Sequence, residues 1–281
     1  MANVDLQYRL DEYYEELRRG AAIPTDEAEL FSAPLLISIP DDWLQSRSRM
    51  ILFGQETRDW GLGQKWHWRD NLGESGLPER AATTCRQCPF TALGTLKDFY
   101  EHEDSVRALK HAYETFDLGR NQGLVRLEGE RVIARSQFWR AFHRLMRRVE
   151  GCDRPRAALW SNFTISDRES GSVLRGGGIL ASKFLSAYGS AVVRQVEILQ
   201  PKAAVFMIGA YQKHLRQLFP GLKLRELRRG FPAIMVADHA PSPLPAKTAW
   251  TAHPSSSVWE KSTWEELLPA LGDWISQPEP V

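Results

Sequence analysis

Short apolar runs separated by helical patterns constrain this chain more than any other feature. "SRMILFGQE", "RAALWSNF", "PKAAVFMIG", "FPAIMVADHA" and "KTAWTAHPSSS" each read as a buried or half-buried strand. Between and around them, "LQYRLDEYYEELRRG", "TLKDFYEHEDSVRALKHAYETF", "RSQFWRAFHRLMRRVEG", "SAVVRQVEILQ", "YQKHLRQLFPG" and "STWEELLPALGDWI" carry helical spacing. Strands alternating with helices predict an α/β protein: three αβα layers around a central, mostly parallel sheet of about four to five strands. The 281 residues, 43% hydrophobic, are read as one domain, residues 1–281. It carries an N-terminal helical extension (about 1–45) and an insertion (about 62–130) that is not a repeat.

Charge and cysteine content narrow the classes. With 36 basic and 35 acidic residues the net charge is +1, so there is no whole-molecule pull toward nucleic acid or anionic membrane, and any such site must be a local patch. The N-terminus lacks the apolar core of a signal peptide, and no apolar run approaches the roughly 18 residues of a membrane span. A cytoplasmic protein is expected. Three cysteines fit a reducing compartment. Cys85 and Cys88 form one CxxC, but a closed zinc or iron–sulfur site needs four ligands and only distant Cys152 is left, so no metal is expected.

In parallel α/β sheets, ligands bind beyond the carboxyl ends of the strands. After the first strand come Gln55, Glu56, Thr57, Arg58, Asp59 and Trp60; after the second, Asn162; after the third, Gly209; after the last, His253, Pro254, Ser255, Ser256 and Ser257. An acid, an amide and a histidine delivered by separate strand ends make a catalytic kind of cluster. Each has a plainer reading: Glu56 as a cap, Asn162 as a turn residue, His253 as a satisfied loop histidine. The other histidines show no ligand spacing.

The order "FGQE", "LWSNF", "PKAAVFMIG", "HPSSS" resembles the uracil-DNA glycosylase superfamily, whose best-known branch carries GQDPYH, LLLN, a VFLLWG-type strand and HPSPLS. The likeness covers Met50 to Ser257 in discontinuous pieces and leaves the N-terminal helix and the insertion unmatched. It implies a uracil-DNA glycosylase-like fold and a monofunctional DNA glycosylase with no cofactor, acting as a monomer on duplex or single-stranded DNA. By position, Gln55 supports the flipped base through its backbone, and Glu56 is the acid, with Asp59 as competitor for that role. Asn162 reads the pyrimidine edge, His253 stabilises the departing base, and Ser255, with Ser256 and Ser257, lies in the loop that grips phosphate.

Departures from the pattern bear on substrate. Arg58 stands where that branch has the Tyr that closes the pocket against a 5-methyl group, Thr57 replaces a Pro, and the loop lacks its second Pro. A flexible donor in place of an aromatic gate relaxes exclusion at the pyrimidine 5-position. The expected substrate is uracil or a 5-substituted pyrimidine such as hydroxymethyl- or glucosylated hydroxymethylcytosine, in base-excision repair or in defence against modified phage DNA. Two other readings stay open: a non-catalytic DNA-binding relative, and a nucleotide or nucleoside hydrolase.

Ten tryptophans offer stacking surfaces, with Trp68 the expected platform for a base. Arg49 is the leading cation for backbone contact, with Arg47, Arg228, Arg229 and Lys261 beside it. "RGGGI" from Arg175 is a weak phosphate-loop signal. "HAPSPLPAK" from His239 imitates the HPSPLS motif but is set aside, because Ala240 interrupts the His-Pro pair.

Overall fold

Strands whose neighbours cover both faces and both edges have no side on which a polar residue is solvated, so they read as continuous apolar runs. The computed structural model describes residues 3–55, 95–115, 124–127, 130–133, 137–151, 155–167, 174 and 178–278. In it β1 (Met50–Gly54) is buried at every residue. A separate antiparallel hairpin follows, β2 (Leu124–Leu127) with β3 (Glu130–Ile133). The main sheet continues through β4 (Ala158–Asn162), β5 (Ala203–Phe206), β6 (Lys223–Glu226), β7 (Ile234–His239) and β8 (Lys247–Thr251), in the order β4-β1-β5-β8-β7-β6. Neighbours among β4, β1, β5 and β8 are parallel, whereas β7 is antiparallel to both β8 and β6.

The sheet is therefore mixed and six-stranded, which corrects the expectation of four to five mostly parallel strands. The strand that sequence reading missed is β6, "KLRE". Its residues alternate between exposed and half-buried. An edge strand needs no apolar run, and charge there blunts pairing with another chain.

Two helical layers follow from the alternation of side chains along β4. Trp160 meets Trp139 of the helix Gln137–Glu150 edge-on at 4.9 Å. Its neighbour Ser161 points the other way and donates to Gln195 Oε1 of the helix Gly178–Leu199 at 3.0 Å. Successive side chains leave a strand on opposite faces, so these two helices sandwich the sheet. On the first face the helix Leu268–Ser276 lies against Gln137–Glu150. Arg148 clamps Asp273 there with two hydrogen bonds of 2.6 and 2.8 Å. On the second, the helix Asn3–Gly20 packs on Gly178–Leu199 and adds Leu6, Leu10, Tyr13 and Tyr14 to the common core. The Tyr14 hydroxyl accepts from Ile37 N at 3.0 Å, and burial pushes its phenol far above the usual range.

β4 is an edge, yet its outward backbone groups are not left open. Tyr113, on the helix Ser105–Thr115, donates its hydroxyl to Trp160 O at 3.0 Å and accepts from Trp160 N at 3.1 Å. One phenol so occupies both pairing groups of the strand's midpoint. Near the C-terminus, "STWEELLPALGDWI" is not one α-helix throughout. Thr263–Leu267 forms a π-helical turn before the helix Leu268–Ser276. Pro269 has no N–H to give to the carbonyl of Glu265, which loosens the turn before it. Among the described residues no helix is long and apolar enough to cross a membrane.

Candidate functional site

The strand order reverses direction at one place. From β1 the chain goes to β4 on one side, then crosses to β5 on the other, passes to the far edge at β6 and returns through β7 to β8. The chain thus moves to one side of the sheet after β1 and to the other after β5, and open α/β sheets bind ligands at the carboxyl edge of such a switch point. Around that point four neighbouring strands deliver Asn162, the last residue of β4, Gln55 just after β1, Gly209 after β5 and His253 after β8. At a strand spacing of about 4.8 Å, the row spans roughly 14 Å.

Asn162 is set by register and by the absence of a side chain opposite. It pairs with Gly54, and a Cβ built on Gly54 would sit 2.6 Å from Asn162 Oδ1. A glycine ending a central strand is a sign of such close approach. Asn162 is 6% exposed, and the described residues give its side chain no hydrogen-bond partner. A buried amide left so is available to a ligand, since it both donates and accepts. The floor around it is closed: Phe163 N donates to Gly54 O and Met207 N to Phe53 O, both at 2.8 Å. Thr164 Oγ1 donates to Gln55 O at 3.4 Å. Phe138, at the start of the helix Gln137–Glu150, brings its ring within 3.3 Å of the same built Cβ.

His253 is held by its loop and by Gly209. Gly209 has φ +53°, and a Cβ there would lie 3.1 Å from His253 N and 3.2 Å from His253 Cβ. Both the left-handed backbone and the close approach require glycine at that position. Trp250 Nε1 donates to Gly209 O at 3.1 Å. The serine loop is folded on itself, with Ser256 N donating to His253 O at 2.8 Å and Trp259 Nε1 to Ala252 O at 2.7 Å. Ser255 N lies 3.3 Å and Ser255 Oγ 2.6 Å from His253 Nδ1. A backbone N–H can only donate, so Nδ1 is the acceptor and the neutral ring carries its proton on Nε2.

Asn162 ends β4, Gln55 follows β1 and His253 comes after β8, with β5 between the last two strands. Ser255, Ser256 and Ser257 follow in the loop, but Ser255 turns its hydroxyl onto the histidine, and the Ser256 hydroxyl is buried with no partner among the described residues. Arg49 is not brought to them. It precedes β1 at the amino end of the sheet, beside a cavity of about 500 Å³ lined by Arg47, Ser48, Lys202 and Lys247. Six residue steps along β1 separate it from Gln55 by about 20 Å. The correction has a simple cause: a cation one strand length upstream of a motif is close in sequence and at the opposite pole in space. His239 ends β7, which runs antiparallel to β8, so "HAPSPLP" also lies at that amino pole. Glu56, Arg58, Asp59 and Trp68, like the Cys85 and Cys88 pair, lie outside the described residues.

Phe138 and the packing role of Gly54 escaped sequence reading. Gly at a strand end was the available signal for the second; for Phe138, which belongs to a helix, there was none. Among the described residues no three His, Cys, Asp or Glu side chains are grouped to hold a metal.

The fold and the site together define an α/β protein with a polar row at the carboxyl edge of a mixed sheet. Compared with protein-family models, curated proteins and solved structures, the chain matches none.

Proposed function

We propose that the chain is a DNA glycosylase of uracil-DNA glycosylase-like fold, which extrudes a uracil or 5-substituted pyrimidine nucleotide and hydrolyses its N-glycosidic bond. The observation that carries the reading is the row Asn162, Gln55, Gly209, His253 at the topological switch. An amide with no hydrogen-bond partner among the described residues and an imidazole whose Nδ1 accepts from its own loop stand at the two ends of that row.

Each group has a task set by the bond that breaks. As the C1′–N1 bond lengthens, its electron pair moves onto the base and spreads to the adjacent carbonyl oxygen. His253 Nε2–H donates to that oxygen without needing to be charged. Asn162 offers donor and acceptor to the Watson–Crick edge of the extruded base. Glu56, placed next to Gln55 by the chain, is assigned by resemblance to the anion that offsets positive charge on the sugar and takes the proton of the attacking water. Asp59 is its competitor. Arg58 in place of an aromatic gate favours a polar 5-substituent.

The test incubates the protein with duplex and single-stranded oligonucleotides carrying uracil, thymine mispairs, hydroxymethylcytosine or its glucosylated form, followed by alkali to reveal abasic sites. One base is excised, and His253→Ala lowers the rate by roughly 10²–10³, as loss of a transition-state donor does. Glu56→Gln abolishes it. Tight DNA binding with no excision of any base would point to a non-catalytic relative, and hydrolysis of free nucleosides alone to a nucleoside hydrolase.

A further inference from the structure

Beside the serine loop the structure holds two arginines against one indole. The guanidinium carbons of Arg140 and Arg144 each lie 5.3 Å from the centroid of the Trp264 ring. Both side chains are exposed, one turn apart on the helix Gln137–Glu150. Like charges at that spacing repel, and among the described residues neither guanidinium meets a carboxylate. The nearby acids are used elsewhere: Glu266 holds Arg228 at 2.6 Å, Glu265 lies 3.9 Å from Lys261, and Asp273 is clamped by Arg148. Trp264 packs edge-on against Trp259 at 4.6 Å, and Trp259 Nε1 binds the carbonyl of Ala252, the residue before His253. Two cations with no carboxylate partner among the described residues are thus tied through two indoles to the proposed catalytic loop.

We propose that Arg140 and Arg144 form a phosphate clamp for the DNA backbone flanking the extruded nucleotide, an inference that rests on the glycosylase reading. An indole against each guanidinium fixes its plane by cation–π contact and leaves the N–H fork to reach outward. That fork matches two phosphate oxygens, a geometry lysine does not offer. A continuous polyanion suits two cations one helical turn apart, whereas the net charge of +1 offers no general attraction. The clamp is the local basic patch that so balanced a chain requires.

The experiment measures binding of the full chain to unmodified duplex DNA across a salt series by fluorescence anisotropy. Three proteins are compared: wild type, the double variant Arg140→Gln/Arg144→Gln, and Arg140→Lys/Arg144→Lys. Loss of one or two phosphate contacts makes the slope of log K against log salt shallower by about 0.9 for each. The lysine pair recovers the slope but binds more weakly than wild type, because charge is kept and the fork is lost. Both variants stay folded, with unfolding midpoints lowered by no more than the loss of exposed cation–π contacts allows. An unchanged slope in the glutamine variant overturns the clamp and leaves the glycosylase reading untouched. Salt-dependent binding that the variant weakens, with no base excised by wild type, upholds the clamp and overturns the chemistry. Absence of salt-dependent binding by wild type overturns the clamp.

Discussion

Gly54→Ala adds one methyl group where β1 and β4 end side by side, and its consequence can be worked from distances. The new Cβ meets Asn162 Oδ1 at 2.6 Å and Phe138 Cε2 at 3.3 Å. The first is about 0.8 Å inside ordinary van der Waals contact. Neither neighbour yields easily, because Asn162 is in register with Gly54 on a buried strand and the Phe138 ring is half-buried against the core. Overpacking of this kind costs about 1–3 kcal/mol. The easier way out is rotation of the Asn162 amide away from the strand-end row. A displacement approaching 1 Å at a positioning group costs up to about 10²-fold in rate. Urea unfolding and single-turnover excision on the best substrate read the two effects separately. Gly20→Ala is the control, since nothing lies within 4 Å of a Cβ there; it should shift stability by no more than about 0.5 kcal/mol. Gly54→Ala matching Gly20→Ala in both assays would refute the close-approach argument and Asn162 as the reader of the base edge.

Three further outcomes test separate parts of the structure. Tyr113→Phe strips the edge strand of the hydroxyl that serves both Trp160 N and Trp160 O, and should cost about 1–3 kcal/mol in urea unfolding; a loss below about 0.5 kcal/mol would mean water replaces it freely. Arg148 holds the Asp273 carboxyl below its usual range, chiefly through the hydrogen bonds between them. A depressed folded pKa stabilises above the unfolded value and is lost as pH falls through the folded one, so any stability advantage over Asp273→Asn persists at neutral pH and closes on acidification. A gap that widens in acid would contradict the assignment. Ser255→Ala removes the hydroxyl from His253 Nδ1 but keeps the backbone donor, so excision should fall by about threefold to tenfold, well short of the loss in His253→Ala. Equal losses in the two variants would show that the serine acts on something other than the ring.

The sequence by itself determined which runs become the inner strands and which residues stand at their ends. β1, β4 and β5 are covered on both faces, and this demand for unbroken apolar character is written in "MILFG", "ALWSN" and "AAVF". Gln55, Asn162 and His253 follow such runs directly, so they were legible as strand-end residues. Side-chain period says which face a residue takes but not which strand lies beside it. Only the tertiary structure decided that β1 stands between β4 and β5, which sets the topological switch, and that β7 runs antiparallel to both its neighbours, β8 and β6. Distance along the chain misled for Arg49, one short strand from Gln55 in sequence and at the other pole in space. Ser255 faces the histidine because its loop turns back on itself through contacts made by Trp259. Gly54, Phe138 and Asn162 share one small volume although more than a hundred residues separate the two strand ends. Such meetings depend on how whole layers pack, and no local pattern of residues encodes them.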